Sequence, residues 1–385
     1  MTKDADRSSF FIALVIVDVL VGLADAVSGP YIVLFLVDEA RLGPLSLSAI
    51  LTARALGGIA FATAFGAWVD RRTSVAPLLI ALGGSAVGYG LLALTTNFAL
   101  LLIIAAVPIA VGGAAFSQSI ALVRRNFDHS SLHTVSRAIG VMRASWSLAW
   151  AVGPAIGAVV AASFGFRAVF LLSAASGAIA LAALAFVRAR PISGEAVRRD
   201  RRESPKGGLT IALAFTALAL FHTALFMGSV PLPIVVTSSL GGSQGDVGLM
   251  FSLCAALEIV VMGALIWRPL RRGERAAIAI GFAAFIAYYV ALVFARSVGP
   301  VFWAQILRAI SIALVTYLGI GFLQSLLPHR AGAAAALFSN AAQVGSVVAA
   351  LGVGALAQAF GYASIFAACA SLSAAGFVII CLVRA

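Results

Sequence analysis

The sequence predicts an all-α membrane protein with twelve transmembrane helices in two pseudo-symmetric six-helix bundles. Its 385 residues are 62% hydrophobic and 10% charged, whereas soluble chains carry roughly a quarter charged residues. Apolar runs of spanning length, about 20 residues, recur along the chain between short polar breaks. Of the 26 Lys and Arg residues, 20 lie in breaks on one side and 3 on the other. Because Lys and Arg collect on the cytoplasmic side, both termini are predicted to be cytoplasmic.

The predicted spans cover residues 10–37, 45–69, 75–96, 98–123, 137–163, 166–187, 208–237, 244–267, 276–295, 299–326, 331–358 and 362–383. The longest break, 189–207, is rich in arginine and separates six spans from six. It predicts an N-terminal bundle over 1–188, a basic cytoplasmic linker over 189–207, and a C-terminal bundle over 208–385.

Two short matches indicate that the halves are duplicated. Residues 164–170 resemble 360–366 at an offset of 196, and 66–69 resemble 263–266 at an offset of 197. Parallel six-helix repeats describe one transporter architecture, whose site lies near the bilayer midplane between the halves.

The fifth predicted span carries a polar and aromatic stripe. Its members recur at helical spacing, so they share one face, with Trp146 beside them; they are Arg143, Ser147, Trp150, Pro154 and Gly157. An arginine in hydrocarbon is costly and usually faces a protein interior or a water-filled cavity. The stripe therefore predicts a binding surface with a cation, a hydroxyl and flat rings, although the tryptophans also suit helix packing or interface anchoring.

Ionisable residues inside the spans form a second group of candidates. Asp25 lies roughly 18 Å from the outer end of span 1, and Arg54 roughly 14 Å from that of span 2, at 1.5 Å per residue. Glu258 and Arg308 also lie at similar depths on spans 8 and 10. Each pair predicts either gating and proton-coupling groups or a static buried ion pair.

Two further titratable residues are candidates for moving protons. Asp18 lies seven residues before Asp25, on the same helix face. His222, near the middle of span 7, titrates near neutral pH and suits either a proton relay or a hydrogen-bonded packing role.

The loop after span 2, with Gly66 followed by Asp70-Arg71-Arg72, resembles the loop signature of the major facilitator superfamily. The resemblance implies that Asp70 belongs to a charge network that gates the two halves. Gly153-Pro154 with Gly157 resembles a signature frequent among exporters of that superfamily.

A closer resemblance, to the bacterial sugar efflux transporters, extends over most of the chain. It is densest in the segments 141–150, 256–259, 324–334 and 337–340. The resemblance implies proton-driven export of sugars and sugar-like glycosides. Asp25 and Arg54 depart from the family pattern, so substrate or coupling can differ here.

Sugars are bound by amides, carboxylates, hydroxyls and aromatic faces. On this basis the predicted substrate site combines the stripe residues Arg143, Trp146, Ser147 and Trp150 with Glu258, Asn340 and Gln343. The last two are amides near the middle of span 11.

Other classes of function lack support in the sequence. No phosphate-cradling loop, catalytic triad or metal-ligand spacing is visible, so an enzyme, a metal or a cofactor is not expected. The net charge of +12 follows from topology, and no basic soluble domain exists to bind nucleic acid.

We expect a monomer in the bacterial cytoplasmic membrane, with the lipid bilayer, protons and a small sugar or glycoside as partners. Two alternatives stay open: a proton-coupled exporter of cationic or amphipathic drugs, and a non-transporting sensor on the same fold.

Overall fold

The computed structural model describes residues 2–71, 74–127, 132–186, 208–268, 273–327 and 330–383, and all regular elements in these ranges are helices. The helices of the first half are α1 (Thr2–Leu34), α2 (Pro44–Arg71), α3 (Ala76–Leu92), α4 (Phe98–Ile104), α5 (Ala110–Gly112), α6 (Ala115–Asn126) and α7 (Leu132–Phe186). Those of the second half are α8 (Gly208–Ser229), α9 (Pro231–Ser238), α10 (Gln244–Trp267), α11 (Glu274–Phe294), α12 (Val298–Leu326), α13 (Ala331–Phe360) and α14 (Ser364–Leu382). Two π-helical stretches, Phe35–Glu39 and Ala105–Ile109, extend α1 and join α4 to α5.

Among the described residues, ten helical segments are long and apolar enough to cross a membrane. One of them, Arg137–Ala185, is two helices that meet at Gly165, and Ala76–Leu92 is a shorter apolar helix. Helix therefore covers each of the twelve stretches predicted as spans. The number of crossings and the side of the termini stay predictions, and the linker 189–207 lies outside the described residues.

Local sequence explains where several helices begin or change. The side chain of Asn97 accepts hydrogen bonds from the backbone N–H groups of Ala99 and Leu100 and so caps α4. Ser243 and Asp246 form a reciprocal capping box at the start of α10. Pro108 has no N–H to donate within the helix, and it lies inside the second π-helical stretch.

Two glycines of the predicted repeat adopt the same unusual backbone conformation. Gly165 has φ 79° and ψ 174°, and Gly361 has φ 81° and ψ 165°. Because side chains are essentially excluded from this region, glycine is required where each helix turns into the next. The shared conformation at an offset of 196 residues is the result that duplication predicts.

Contacts divide the chain into two compact units. Unit 1 comprises Met1–Leu42 and Ala53–Asp200, and unit 2 comprises Gly43–Thr52 and Arg201–Ala385. The first residues of α2 therefore belong to unit 2, where the Ser48 hydroxyl donates to the carbonyl of Ala350 on α13 over 2.6 Å. A Cβ added at Gly354 would collide with the Ser48 side chain. The glycine thus permits this close contact.

We expect Gly354→Leu to separate the start of α2 from α13, because there is no space for a side chain at position 354. Overpacking of this kind costs about 1–3 kcal/mol. In a Ser48→Cys variant whose exposed Cys381 is replaced by serine, thiol labelling at position 48 should become several-fold faster. Gly58→Leu on α2, where nothing lies within 4 Å of the added Cβ, is the matched control. Unchanged labelling in the Gly354→Leu protein would show that the contact does not depend on the glycine.

Candidate functional site

The stripe predicted on the fifth span lies on α7. Its C-terminal residues, Pro154 and Gly157, pack against α1. A Cβ on Gly157 would collide with the carbonyl oxygen of Val27 and would lie 2.6 Å from the Tyr31 ring. The Tyr31 hydroxyl donates to the carbonyl of Pro154 over 2.8 Å. Glycine here allows the two helix backbones to approach, as small residues do between membrane helices.

The two tryptophans of this region lie over glycines of α1. The Trp150 ring would be 3.1 Å from a Cβ on Gly29, and the Trp146 ring 3.3 Å from one on Gly22. Trp146 also packs on the Phe116 ring, with the centroids 4.7 Å apart. Both tryptophans are only half-buried. One part of each indole is therefore fixed by packing, and the rest stays accessible to a ligand.

The polar members of the stripe are more accessible than its packed end. Arg143 is exposed and Ser147 is half-buried. With the accessible parts of Trp146 and Trp150, they place a cation, a hydroxyl and aromatic surface on one helix of unit 1.

Asp18 is buried among apolar side chains. Its residue is 1% exposed, and neither carboxyl oxygen has a hydrogen-bond partner. Leu14 and Val21, one turn away on the same face of α1, belong to a buried apolar cluster. An ionised carboxylate in such surroundings is strongly destabilised. The contacts therefore fit a neutral, proton-bearing acid that is not hydrogen-bonded to Arg143.

Asp25 has a neutral partner. The hydroxyl of Tyr89 on α3 donates to Asp25 Oδ1 over 2.6 Å. Arg54 lies within electrostatic range of Tyr89, but it forms no ion pair with Asp25. Asp25 is thus held by a hydrogen bond from α3, a contact that the sequence did not reveal.

Arg308 in unit 2 is 6% exposed and also has uncharged partners. One guanidinium nitrogen, Nη2, donates to the Ser229 hydroxyl over 2.9 Å, and the guanidinium carbon lies 4.8 Å from the centroid of the Phe251 ring. Glu258 on α10 is half-buried and within electrostatic range of Arg308. The two are not joined as an ion pair in the described part of the chain.

His222 occupies a packing position. Its Nδ1 donates to the carbonyl of Leu218 over 2.8 Å, with the tautomer set by that contact. Its ring meets those of Phe221 and Phe338 edge-on, with centroids 5.4 and 5.2 Å away. A Cβ at Gly345 would lie 2.7 Å from the His222 Cβ. These contacts favour the packing interpretation over a proton relay.

The amides predicted on span 11 both lie on α13, where Asn340 is exposed and Gln343 half-buried. The side chain of Asp70 lies outside the described part of the structure. Within that part, no group of three or more His, Cys, Asp or Glu residues is placed to hold a metal ion.

Sequence reasoning missed Tyr89, Ser229 and Phe251, because uncharged residues are common in spans. The duplication offers one signal. At an offset of 200 residues from Tyr89, the Tyr289 hydroxyl donates to the Ala224 carbonyl over 2.5 Å. Both phenols therefore bond to the first helix of their own half, and unit 1 has a carboxylate at that contact.

We expect Tyr89→Phe to lower the free energy of unfolding by about 1.5–3 kcal/mol, as for hydrogen bonds to charged groups. Tyr317→Phe is the control, since the Tyr317 hydroxyl makes no hydrogen bond to a described residue. In a thermal-unfolding series, the loss should shrink when Asp25 is already alanine. Equal losses in both backgrounds would show that the two residues are not coupled.

Comparison with known proteins identifies the class. The family model of the Major Facilitator Superfamily matches residues 14–226. A Deinococcus radiodurans protein named "Putative sugar efflux transporter" is 33% identical over 373 residues, covering 95% of this chain and 96% of that protein. Sugar efflux transporter A of Escherichia coli is 29% identical over 370 residues, covering 95% of this chain and 94% of its own. The crystal structure of nucleoside transporter NupG covers 99% of each chain with a TM-score of 0.74 at 13% identity, which is a likeness of fold alone.

The helical fold and these matches define a membrane transporter, not an enzyme. The chain belongs to the major facilitator superfamily and, within it, to the sugar efflux transporter family. It is a multi-pass protein of the bacterial inner membrane.

Proposed function

We propose that this protein exports sugars or sugar-like glycosides in exchange for protons. The observation that carries the substrate class is the 33% identity to a sugar efflux relative over 95% of the chain. A match of this length extends through both halves of the chain, so it is not confined to a shared loop motif.

The proposed substrate contacts in unit 1 come from α7. The half-buried faces of Trp146 and Trp150 suit the apolar face of a sugar ring, and Ser147 and Arg143 offer hydrogen bonds to its hydroxyls. In unit 2, Glu258, Asn340 and Gln343 supply a carboxylate and two amides. Amides and hydroxyls are better suited to neutral sugars than to drug cations.

Asp18 is the proposed proton carrier. It is buried without a hydrogen-bond donor, so it holds a proton in the present conformation. When transport brings water to this face of α1, the carboxyl group ionises and releases the proton. Asp25 is less suited to this task because Tyr89 already stabilises its carboxylate.

Export would proceed by alternating access, in which the two halves rock and open the site to one side at a time. Glu258 is the proposed second coupling group. Its half-buried carboxyl group can release a proton, and the carboxylate can then accept a hydrogen bond from a sugar hydroxyl. Arg54, Asp70 and Arg308 are proposed to stabilise the alternating conformations of the transport cycle. The monomer is proposed as the transporting unit.

Counterflow in proteoliposomes tests the substrate class. Vesicles loaded with unlabelled lactose or a thio-galactoside should take up the labelled sugar, and tetraphenylphosphonium should not compete. Exchange of labelled tetraphenylphosphonium without exchange of sugar would favour the drug-exporter alternative. No exchange of either compound would favour the sensor.

A further inference from the structure

Three buried polar side chains share one face of α12. Gln305, Arg308 and Ser311 follow at intervals of three residues and are 0%, 6% and 0% exposed. Each has a buried polar atom without a hydrogen-bond partner in the described structure: Oε1 of Gln305, Nη1 of Arg308 and Oγ of Ser311. Buried polar atoms are nearly always satisfied. Three such atoms along one helix face therefore point to a ligand.

The direct contacts of the buried arginine on this face are with uncharged groups. An arginine side chain stays protonated in proteins, and the two groups that contact Arg308, the Ser229 hydroxyl and the Phe251 ring, carry no charge. Among the described residues, Arg308 forms no ion pair. A buried cation without a bound anion is strongly destabilising. We propose that Arg308 and Ser311 bind a monovalent anion inside unit 2.

The unpartnered atoms define the chemistry of the ligand. Arg308 Nη1 can only donate, and the Ser311 hydroxyl can donate as well, so both favour an acceptor with negative charge. Gln305 directs its Nε2 to the carbonyl of Val301 over 3.1 Å, which leaves its Oε1 as an acceptor. A halide would satisfy Arg308 and Ser311. The carboxylate of a sugar acid would satisfy the same two groups, and one of its hydroxyls would also satisfy Gln305.

One neighbouring carboxylate governs the affinity of this site. The titratable groups around Arg308 are Cys254 and Glu258 on α10 and Tyr288 and Tyr289 on α11, and His222 lies two turns before Ser229 on α8. When Glu258 is ionised, it competes with the anion for the guanidinium charge. Removal of this charge in Glu258→Gln ends the competition, so the anion binds more tightly to that variant. The site does not depend on the proposed export of sugars.

Thermal unfolding of the purified full-length protein tests the site. Bromide is titrated at constant ionic strength against isethionate, an anion that is larger than a halide. Saturating bromide should raise Tm by about 2–4 °C, because a ligand that binds only the folded state stabilises it. Arg308→Gln should abolish the shift, Glu258→Gln should lower the bromide concentration required, and Arg167→Gln, at an exposed arginine, should leave the response unchanged. A second series compares glucuronate with glucose. A Tm shift with glucuronate at lower concentration than with bromide identifies a sugar acid as the ligand. A Tm shift with bromide alone identifies a free halide.

Equal bromide shifts in the wild type and in Arg308→Gln would overturn the proposal, as would the absence of any shift with either anion. Ser311→Ala keeps the test decisive if Arg308→Gln does not fold. It removes one donor and should weaken bromide binding by about threefold or more. In crystals grown with bromide, an anomalous peak beside Arg308 Nη1 is expected, and a peak elsewhere with none at Arg308 would contradict the site.

Discussion

Replacement of Asp18 by asparagine should abolish pH-gradient-driven sugar export and preserve sugar counterflow. Asparagine mimics the neutral form of the carboxyl group that the buried position requires, but it cannot release a proton. The rate of gradient-driven export should therefore fall by at least about a hundredfold. The rate of counterflow, which moves no net proton, should stay within about threefold of the wild-type rate. Parallel counterflow and pH-jump assays on one preparation of proteoliposomes measure both quantities.

Two controls separate a lost proton site from a damaged helix. Asp18→Glu keeps the titratable group and should recover part of the gradient-driven flux. Ile12→Ala on α1 shortens a side chain that is 57% exposed, and it should leave coupling intact. Gradient-driven flux at the wild-type level in Asp18→Asn would refute the role of Asp18.

Gly157→Leu should strongly destabilise unit 1. A side chain at this position would collide with the backbone of α1 at Val27 and with the Tyr31 ring, neither of which can move without displacing the helix. The free energy of unfolding should fall by more than the 1–3 kcal/mol, roughly, that overpacking usually costs. The hydrogen bond from Tyr31 to Pro154 should also be lost. Thermal unfolding and the yield of folded protein measure the effect.

Gly140→Leu is the matched control, because it lies on the same helix and nothing is within 4 Å of its added Cβ. That variant should keep wild-type stability within about 0.5 kcal/mol. Equal stability of the two leucine variants would show that the contact between α1 and α7 tolerates a side chain.

The helices could be predicted because their signals are local. Runs of apolar residues mark each helix without reference to its neighbours. The matched segments around Gly165 and Gly361 predicted a duplication, and in the structure these two glycines share a backbone conformation that side chains rarely adopt. By contrast, nothing in the sequence of α2 showed that its first residues pack with unit 2, since that contact depends on Ser48 and Gly354, which are far apart in the chain.

The candidate site could be predicted only in part, because helix rise fixes the depth of a residue but not its partner. Similar depth predicted a pair of Asp25 with Arg54, whereas the structure places the Tyr89 hydroxyl on Asp25. Arg308 similarly meets Ser229 and Phe251. The burial of Asp18 without a donor depends on the rotation and packing of several helices. Neither the spacing nor the depth of residues in the sequence predicts that rotation and packing.

The central claim, that sugar leaves in exchange for protons, is tested most directly by a pH jump on proteoliposomes that hold labelled sugar. When the medium outside sugar-loaded vesicles is made acidic, sugar should leave faster than without a gradient, and the vesicle interior should acidify as it does so. A protonophore, which collapses the pH gradient by itself, should abolish the acceleration. Sugar efflux that proceeds at the same rate with and without the pH gradient, and with no proton movement, would contradict the account.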